Sequence, residues 1–187
     1  MEIRLNVALL LALAIAWAAL TAGQPVAALD PTAAETQDLS RLEDDFAHDR
    51  TDVVLARRLS SRYLELNRPG LAVAALRSAD PELLEDPMLM HRLAQAYEQS
   101  GRMLDALATA DLALARCGRS LGALGASSAT PIPRYECGAR DYAILDMHRT
   151  AVDHMVRWGV ADGDTDPRSQ MAYEMAMRRA TVASASQ

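Results

Sequence analysis

The sequence has few aromatic side chains and no lysine: all 19 basic residues among its 187 are arginine. Aromatic residues make up 4% of the chain, whereas alanine is abundant. β-Sheets are enriched in aromatic and β-branched residues, while alanine allows two helices to approach closely. The composition therefore favours a helical protein over a β-sandwich.

Strong positive charge and the common active-site motifs are also missing. The formal net charge is −6, which disfavours nucleic acid as the main partner. The sequence contains no nucleophile elbow and no phosphate-binding loop. We therefore expect no enzymatic activity and no cofactor. An enzyme that uses the acidic turn near the C-terminus and its histidine neighbours remains a minor alternative.

That acidic turn only partly matches a calcium loop. Asp162, Asp164 and Asp166 alternate as calcium ligands do. However, Pro167 occupies the position that needs glycine, and Tyr173 replaces the bidentate glutamate. We expect a solvated turn and a helix N-cap here, and the three aspartates are only a weak metal-site candidate.

Histidine pairs give no metal site either. His148 and His154 share one predicted helix, but a spacing of six residues places them on different sides of it. We expect both to be surface residues.

The chain has two cysteines, Cys117 and Cys137, which flank a glycine- and proline-containing segment. In an exported chain, two cysteines near helix ends favour a disulfide. A reactive thiol and metal ligation are the alternatives, but the sequence has no CxxC motif. We expect a Cys117–Cys137 disulfide that closes this loop.

The N-terminus resembles a secretory signal peptide. Arg4 precedes an apolar run over 7–20, and small residues near Gly23 and Ala28 offer two cleavage sites. The run is shorter than the roughly 20 residues that span a bilayer. We expect cleavage, no membrane span afterwards, and a periplasmic or secreted protein. An uncleaved membrane anchor is the alternative.

Residues 88–117 predict a pair of antiparallel helices. Leu93 and Tyr97 lie on one helical face, and Gly101 allows the positive φ that ends a helix. The same pattern occurs about 34 residues earlier, where Leu59 and Tyr63 are the equivalent residues. Further aligned pairs are Asn67 with Gly101, Arg68 with Arg102, Ala72 with Ala106 and Ala79 with Ala113.

This repeated pattern resembles the tetratricopeptide repeat (TPR) family over 53–120. The matching positions in the second copy are Leu93, Ala94, Tyr97, Gly101, Arg102, Ala106, Leu107, Ala110 and Ala113. The resemblance implies an all-α fold, a short TPR-like stack of antiparallel helical hairpins.

A helix is predicted directly after the signal-like segment. Thr32 and Glu35 form a capping box before this helix, with Leu39, Leu42 and Phe46 on its apolar stripe. We expect this helix to cap the first repeat, the alternative being a mobile partner-binding arm.

The predicted organisation of the whole chain has six parts. They are a signal peptide at 1–28, a polar segment and capping helix at 29–50, two hairpins at 51–120, a disulfide-closed loop at 121–137, a degenerate hairpin at 138–183 and a tail at 184–187.

The C-terminal hairpin is predicted from two apolar patterns. Its first helix, about 139–158, carries Tyr142, Leu145, Val152, Met155 and Val156, and Gly159 ends it. In the last helix, about 167–182, we expect the apolar contacts to come from Met171, Met175, Met177 and Tyr173.

In TPR proteins the first helix of each repeat lines a concave face that receives a peptide or a partner helix. The resemblance places Arg57, Ser61, Leu64, His91, Gln95 and Glu98 on that face. Because arginine forks onto carboxylates, we expect an acidic or C-terminal segment of another protein as partner. Ordinary solvated helix faces are the alternative.

The leading functional hypothesis is thus an exported, non-enzymatic adaptor or scaffold in an envelope-associated assembly. The alternative is a soluble extracytoplasmic protein that binds a peptide or small ligand, with the loop at 118–133 as its lid.

Overall fold

A computed structural model describes residues 32–124, 135 and 137–185. The predicted signal peptide, most of the loop closed by the disulfide and the end of the tail lie outside this part of the chain. The described residues are all-α, as predicted, and contain no β-strand. The helices are α1 (Ala33–His48), α2 (Val53–Glu65), α3 (Pro69–Ser78), a 3-10 helix (Pro81–Glu85), α4 (Pro87–Gln99), α5 (Met103–Leu124), α6 (Ala139–Arg157) and α7 (Pro167–Ala185).

Helix α1 begins with the predicted capping box. The Glu35 backbone N–H donates to the Thr32 hydroxyl (3.3 Å), and the Thr32 N–H donates to the Glu35 carboxylate (2.8 Å). Leu39 and Phe46 are buried. The helix lies against α2, since the Tyr63 hydroxyl donates to Glu43 Oε1 at 2.6 Å.

Three helices end in the same left-handed turn. Asn67, Gly101 and Gly159 have φ of 53°, 71° and 65°. In each turn this residue donates to a carbonyl three residues back, and the next residue donates to one five residues back. This pattern satisfies carbonyl groups that a helix end leaves free. It reverses the chain between α2 and α3 and between α4 and α5, and it also ends α6.

Alanines form much of the contact between these helices. Ala72 and Ala106 are fully buried, at positions that are equivalent in the two hairpins. Leu59, Tyr63, Leu93 and Tyr97 are buried with them in one core. Each α-helix packs against the next one along the chain, from α1 to α7. In addition, α2 contacts α4.

The Cys117–Cys137 disulfide is present, with the two Cα atoms 5.3 Å apart. It lies in a second, smaller core with Met90, Ala113 and Leu145. Helix α5 does not stop near Cys117, as the sequence suggested, but continues to Leu124. The bond therefore joins the side of a helix, rather than its end, to the residues that precede α6.

The apolar contacts of α7 differ from the prediction. Met171, Met175 and Met177 are 43–55% exposed, and the buried residues of this helix include Ala172 and Ala176. Tyr142 on α6 is also exposed. The small alanine faces allow α7 to lie close to its neighbours, which leaves the long methionine side chains pointing away. Helix α7 also continues to Ala185, past the predicted start of the tail.

None of the helices described here is both long and apolar enough to cross a membrane.

Replacing Gly101 with alanine should destabilise the fold. A Cβ at this residue would lie 2.8 Å from the Ala161 carbonyl oxygen, and the φ of 71° is itself unfavourable for alanine. We expect Gly101→Ala to lower the free energy of unfolding by about 2 kcal/mol in urea titrations. Gly70→Ala is the matched control, since a Cβ there would meet nothing within 4 Å. An equal effect of the two substitutions would contradict the prediction.

Removing the disulfide should also destabilise the protein. The two cysteines are separated by 20 residues, and closing a loop of that length contributes about 3 kcal/mol by restricting the unfolded chain. We expect the Cys117→Ala/Cys137→Ala variant to lose about this amount in urea titrations. Reductant should destabilise the wild type and leave the double variant unchanged. A wild type insensitive to reductant would refute the prediction.

Candidate functional site

The residues predicted to form one partner-binding face are divided between two places. Arg57 and Ser61 line a groove of about 420 Å³ between α1 and α2. Leu64 packs against the core. Gln95 and Glu98 instead line a pocket of about 430 Å³ beside α7. The residues predicted from the first hairpin and those predicted from the second thus lie at different places in the structure.

The groove between α1 and α2, called here the arginine groove, combines an apolar wall with charged rims. Leu39 and Leu42 of α1 supply its apolar lining, and Ser61 of α2 also lines it. The other lining residues are Asp38, Arg57, Arg58, Arg62 and Glu65.

Two of its arginines are already paired within the chain. Arg57 binds the buried carboxylate of Asp86, and Arg62 pairs with Glu35 (3.1 Å) and Glu65 (3.2 Å). Arg58 is exposed and has no carboxylate partner among the described residues. Arg58 is therefore the guanidinium that is free to bind an acidic group.

His91 and Glu98 cannot act as solvated partner-binding residues, because they are only 6% and 7% exposed. They are covered by the C-terminal helices. The His91 ring contacts the His148 ring of α6 at 4.7 Å between centroids. Glu98 hydrogen-bonds with both α6 and α7.

Glu98 is the centre of a buried polar cluster. Its Oε2 lies 2.8 Å from His148 Nε2, and the Tyr173 hydroxyl lies 2.9 Å from both carboxylate oxygens. One carboxylate therefore connects α4, α6 and α7. Hydrogen bonds of this kind offset the cost of removing a charged group from water.

The expectation that His148 lies on the surface is wrong: it is 2% exposed. His154 is partly exposed and stacks on Trp158. The sequence carried a signal for the burial of His148, because it falls on the apolar stripe of α6 together with Leu145, Val152 and Met155. A polar residue on such a stripe indicates a buried hydrogen bond, but the stripe does not identify its partner.

Burial shifts the titration of several groups in and beside this cluster. It lowers the pKa of His91 to about 3, and the charges of His148 and Arg92 act in the same direction. Burial, followed by the charge of Glu98, raises the pKa of Tyr173. The pKa of Asp164 is raised by burial and by the charges of Asp162 and Glu98. His91 is thus neutral at neutral pH.

The pocket beside the cluster is an open one, lined by the end of α4, the acidic turn and the first turns of α7. Its walls are mainly polar, and Tyr173 and Ser169, neither of them a predicted site residue, belong to them. The lining residues are Gln95, Glu98, Gln99, Gly163, Asp164, Thr165, Asp166, Pro167, Ser169, Gln170 and Tyr173.

The three aspartates of the acidic turn do not converge on one point. Asp162 accepts hydrogen bonds from the Asp164 backbone N–H (3.0 Å) and the Thr165 hydroxyl (2.7 Å). Asp166 pairs with Arg168 and accepts from its backbone N–H. In the part of the chain that the structure describes, no three His, Cys, Asp or Glu residues are grouped so as to hold a metal ion.

Comparison with protein families, with curated proteins and with solved structures gives no match to the chain. The functional assignment therefore depends on the chemistry of the arginine groove and of the pocket.

His91 should make stability depend on pH. Its pKa is about 3 in the folded state and about 6.5 in an unfolded chain. Between these values the unfolded state binds more protons, so acidification favours unfolding. From about pH 7 to about pH 5 we expect the free energy of unfolding to fall by about 2 kcal/mol through this group.

Urea titrations at the two pH values measure this effect. His91→Leu should reduce the pH dependence, whereas His48→Leu, at an exposed position at the end of α1, should retain it. An unchanged pH dependence in His91→Leu would show that other groups are responsible.

Proposed function

We propose that the protein is an exported, TPR-like adaptor that binds an acidic or C-terminal segment of another protein in its arginine groove. The observation that carries this proposal is the exposed guanidinium of Arg58, which has no carboxylate partner among the described residues, beside an apolar wall of Leu39 and Leu42. A peptide with an acidic side chain next to an apolar one would complement both features.

The repeated turns support the TPR-like part of the proposal. Asn67 and Gly101 lie one repeat length apart, about 34 residues, and both end the first helix of a hairpin with the same hydrogen bonds. Ala72 and Ala106 then occupy equivalent buried positions. In TPR proteins such hairpins serve mainly to bind other proteins.

The disulfide supports an extracytoplasmic location. Disulfides persist in oxidising compartments and are rare in the reducing cytosol. Together with the signal-like N-terminal sequence, the Cys117–Cys137 bond is the reason to propose a periplasmic or secreted adaptor in an envelope-associated assembly. Its binding role requires no catalytic group.

Burial and pairing decide which residues should be changed to test the groove. Arg57→Glu would place a second negative charge against buried Asp86, so a loss of binding could result from misfolding. His91 is buried as well. Arg58 is exposed, and its substitution leaves these internal contacts intact.

Reversing the charge of Arg58 should therefore weaken partner binding. The tagged chain would be purified from the envelope fraction, and its partner's acidic segment then titrated by fluorescence anisotropy. We expect Arg58→Glu to raise Kd about tenfold or more, because an attractive charge contact becomes repulsive. Higher salt should weaken wild-type binding.

Arg77→Glu is the control, since it reverses the same charge at an exposed position on α3, outside the groove. It should leave Kd unchanged. Equal binding by wild type and Arg58→Glu would refute the arginine groove as the partner site.

A further inference from the structure

The pocket beside α7 has a chemistry opposite to that of the arginine groove. Glu98 and Asp164 both line it, and the charge of Glu98 is among the causes that raise the pKa of Asp164. Asp164 forms no ion pair within the described part of the chain. Arg168, the nearest arginine in sequence, is already paired with Asp166. Of the three carboxylates that line the pocket, Asp164 is thus the one without an ion-pair partner among the described residues.

Two buried oxygens at the pocket also lack partners. Ser169 is 5% exposed, and its Oγ makes no hydrogen bond. The side-chain Oε1 of Gln99 is likewise buried and unpaired. Both residues line the pocket. Buried polar atoms normally have a partner, and leaving one unpaired costs about 1–3 kcal/mol. These two oxygens are therefore hydrogen-bond acceptors that the described residues leave unused.

The unused groups define what that ligand must be. A carboxylate and an amide oxygen only accept hydrogen bonds, and a hydroxyl can accept as well. A primary ammonium has three N–H donors, a positive charge and no acceptor, so it matches all of them. The described residues offer no group of ligands for a metal ion. The volume of about 430 Å³ lies within the range of small-molecule sites.

We propose that this pocket binds a primary ammonium group, either of a small amine or of a peptide N-terminus. Asp164 supplies the main opposite charge at the rim, and Glu98 adds negative charge from the buried side. Ser169 Oγ and Gln99 Oε1 accept hydrogen bonds from the ammonium. Burial, followed by the charges of Asp162 and Glu98, raises the pKa of Asp164, and a bound cation would counteract these effects by stabilising the carboxylate. The site is independent of the arginine groove.

Calorimetric titration of the purified chain, with its disulfide intact, tests the proposal. The two probes are 1,5-diaminopentane and Gly-Gly-Gly amide, whose blocked C-terminus gives the arginine groove no carboxylate to bind. The neutral counterparts are 1-pentanol and the N-acetylated peptide amide. We expect at least one amine to bind and neither neutral counterpart to do so. Binding by the diamine alone identifies a small amine, and binding by the peptide alone identifies a free N-terminus.

Two variants locate the site. Asp164→Asn removes the charge at nearly constant size and should weaken amine binding about tenfold or more. Ser169→Ala removes one acceptor and should weaken binding several-fold. Glu174→Gln is the matched control, because it removes the same charge from an exposed position of α7 outside the pocket. It should bind like the wild type, as should Arg58→Glu.

Circular dichroism melting curves will show that each variant is folded. Glu98 is left unchanged because its substitution would disturb the buried cluster. The proposal is overturned if neither amine binds at concentrations up to about 10 mM, far weaker than ordinary specific affinities. It is also overturned if Asp164→Asn binds as tightly as Glu174→Gln, since the cation would then lie elsewhere.

Discussion

The C-terminal half of the fold depends on one buried carboxylate. Glu98, near the end of α4, contacts His148 on α6 and Tyr173 on α7. Helices packed by alanine and methionine alone could slide past one another at little cost, whereas a buried charge is stable only where its hydrogen-bond partners meet it. Glu98 therefore sets the positions of α6 and α7 on α4, and these two helices cover a face that the TPR resemblance left open.

The two candidate sites differ in the charge of their unpaired groups. The arginine groove lies between α1 and α2, and its free cationic group is Arg58. The pocket lies between α4 and α7, and its free anionic group is Asp164. The two proposals therefore assign ligands of opposite charge to the two sites, an acidic segment to the groove and an ammonium group to the pocket.

Left-handed turns and contacts between alanines determine how the helices that carry these sites pack. Asn67, Gly101 and Gly159 end three helices in the same way. Gly101 has an additional role, because its missing side chain lets the Ala161 carbonyl come close. The acidic turn that follows Gly159 is thereby held against the α4–α5 turn, which brings Asp164 and Glu98 to one pocket.

The sequence by itself determined those features of the fold that depend only on residues close together along the chain. Three such local features are the capping box of Thr32 and Glu35, the turns at Asn67 and Gly101, and the helical spacing of the apolar residues. Together with the composition and the TPR resemblance, they predicted the all-α class, but not the continuation of α5 to Leu124 or of α7 to Ala185. Cys117 and Cys137 could be paired because only two cysteines exist.

Only the tertiary structure decided that His91 and Glu98 are buried and what the buried polar residues contact. The periodicity of α4 could not reveal that α6 and α7 cover His91 and Glu98, because a helical pattern describes one helix and not what packs on its polar side. Likewise, Met171 and Met175 looked like core residues on hydrophobicity alone. Ala172 took that place because the close approach of α7 to its neighbours leaves room only for a small side chain.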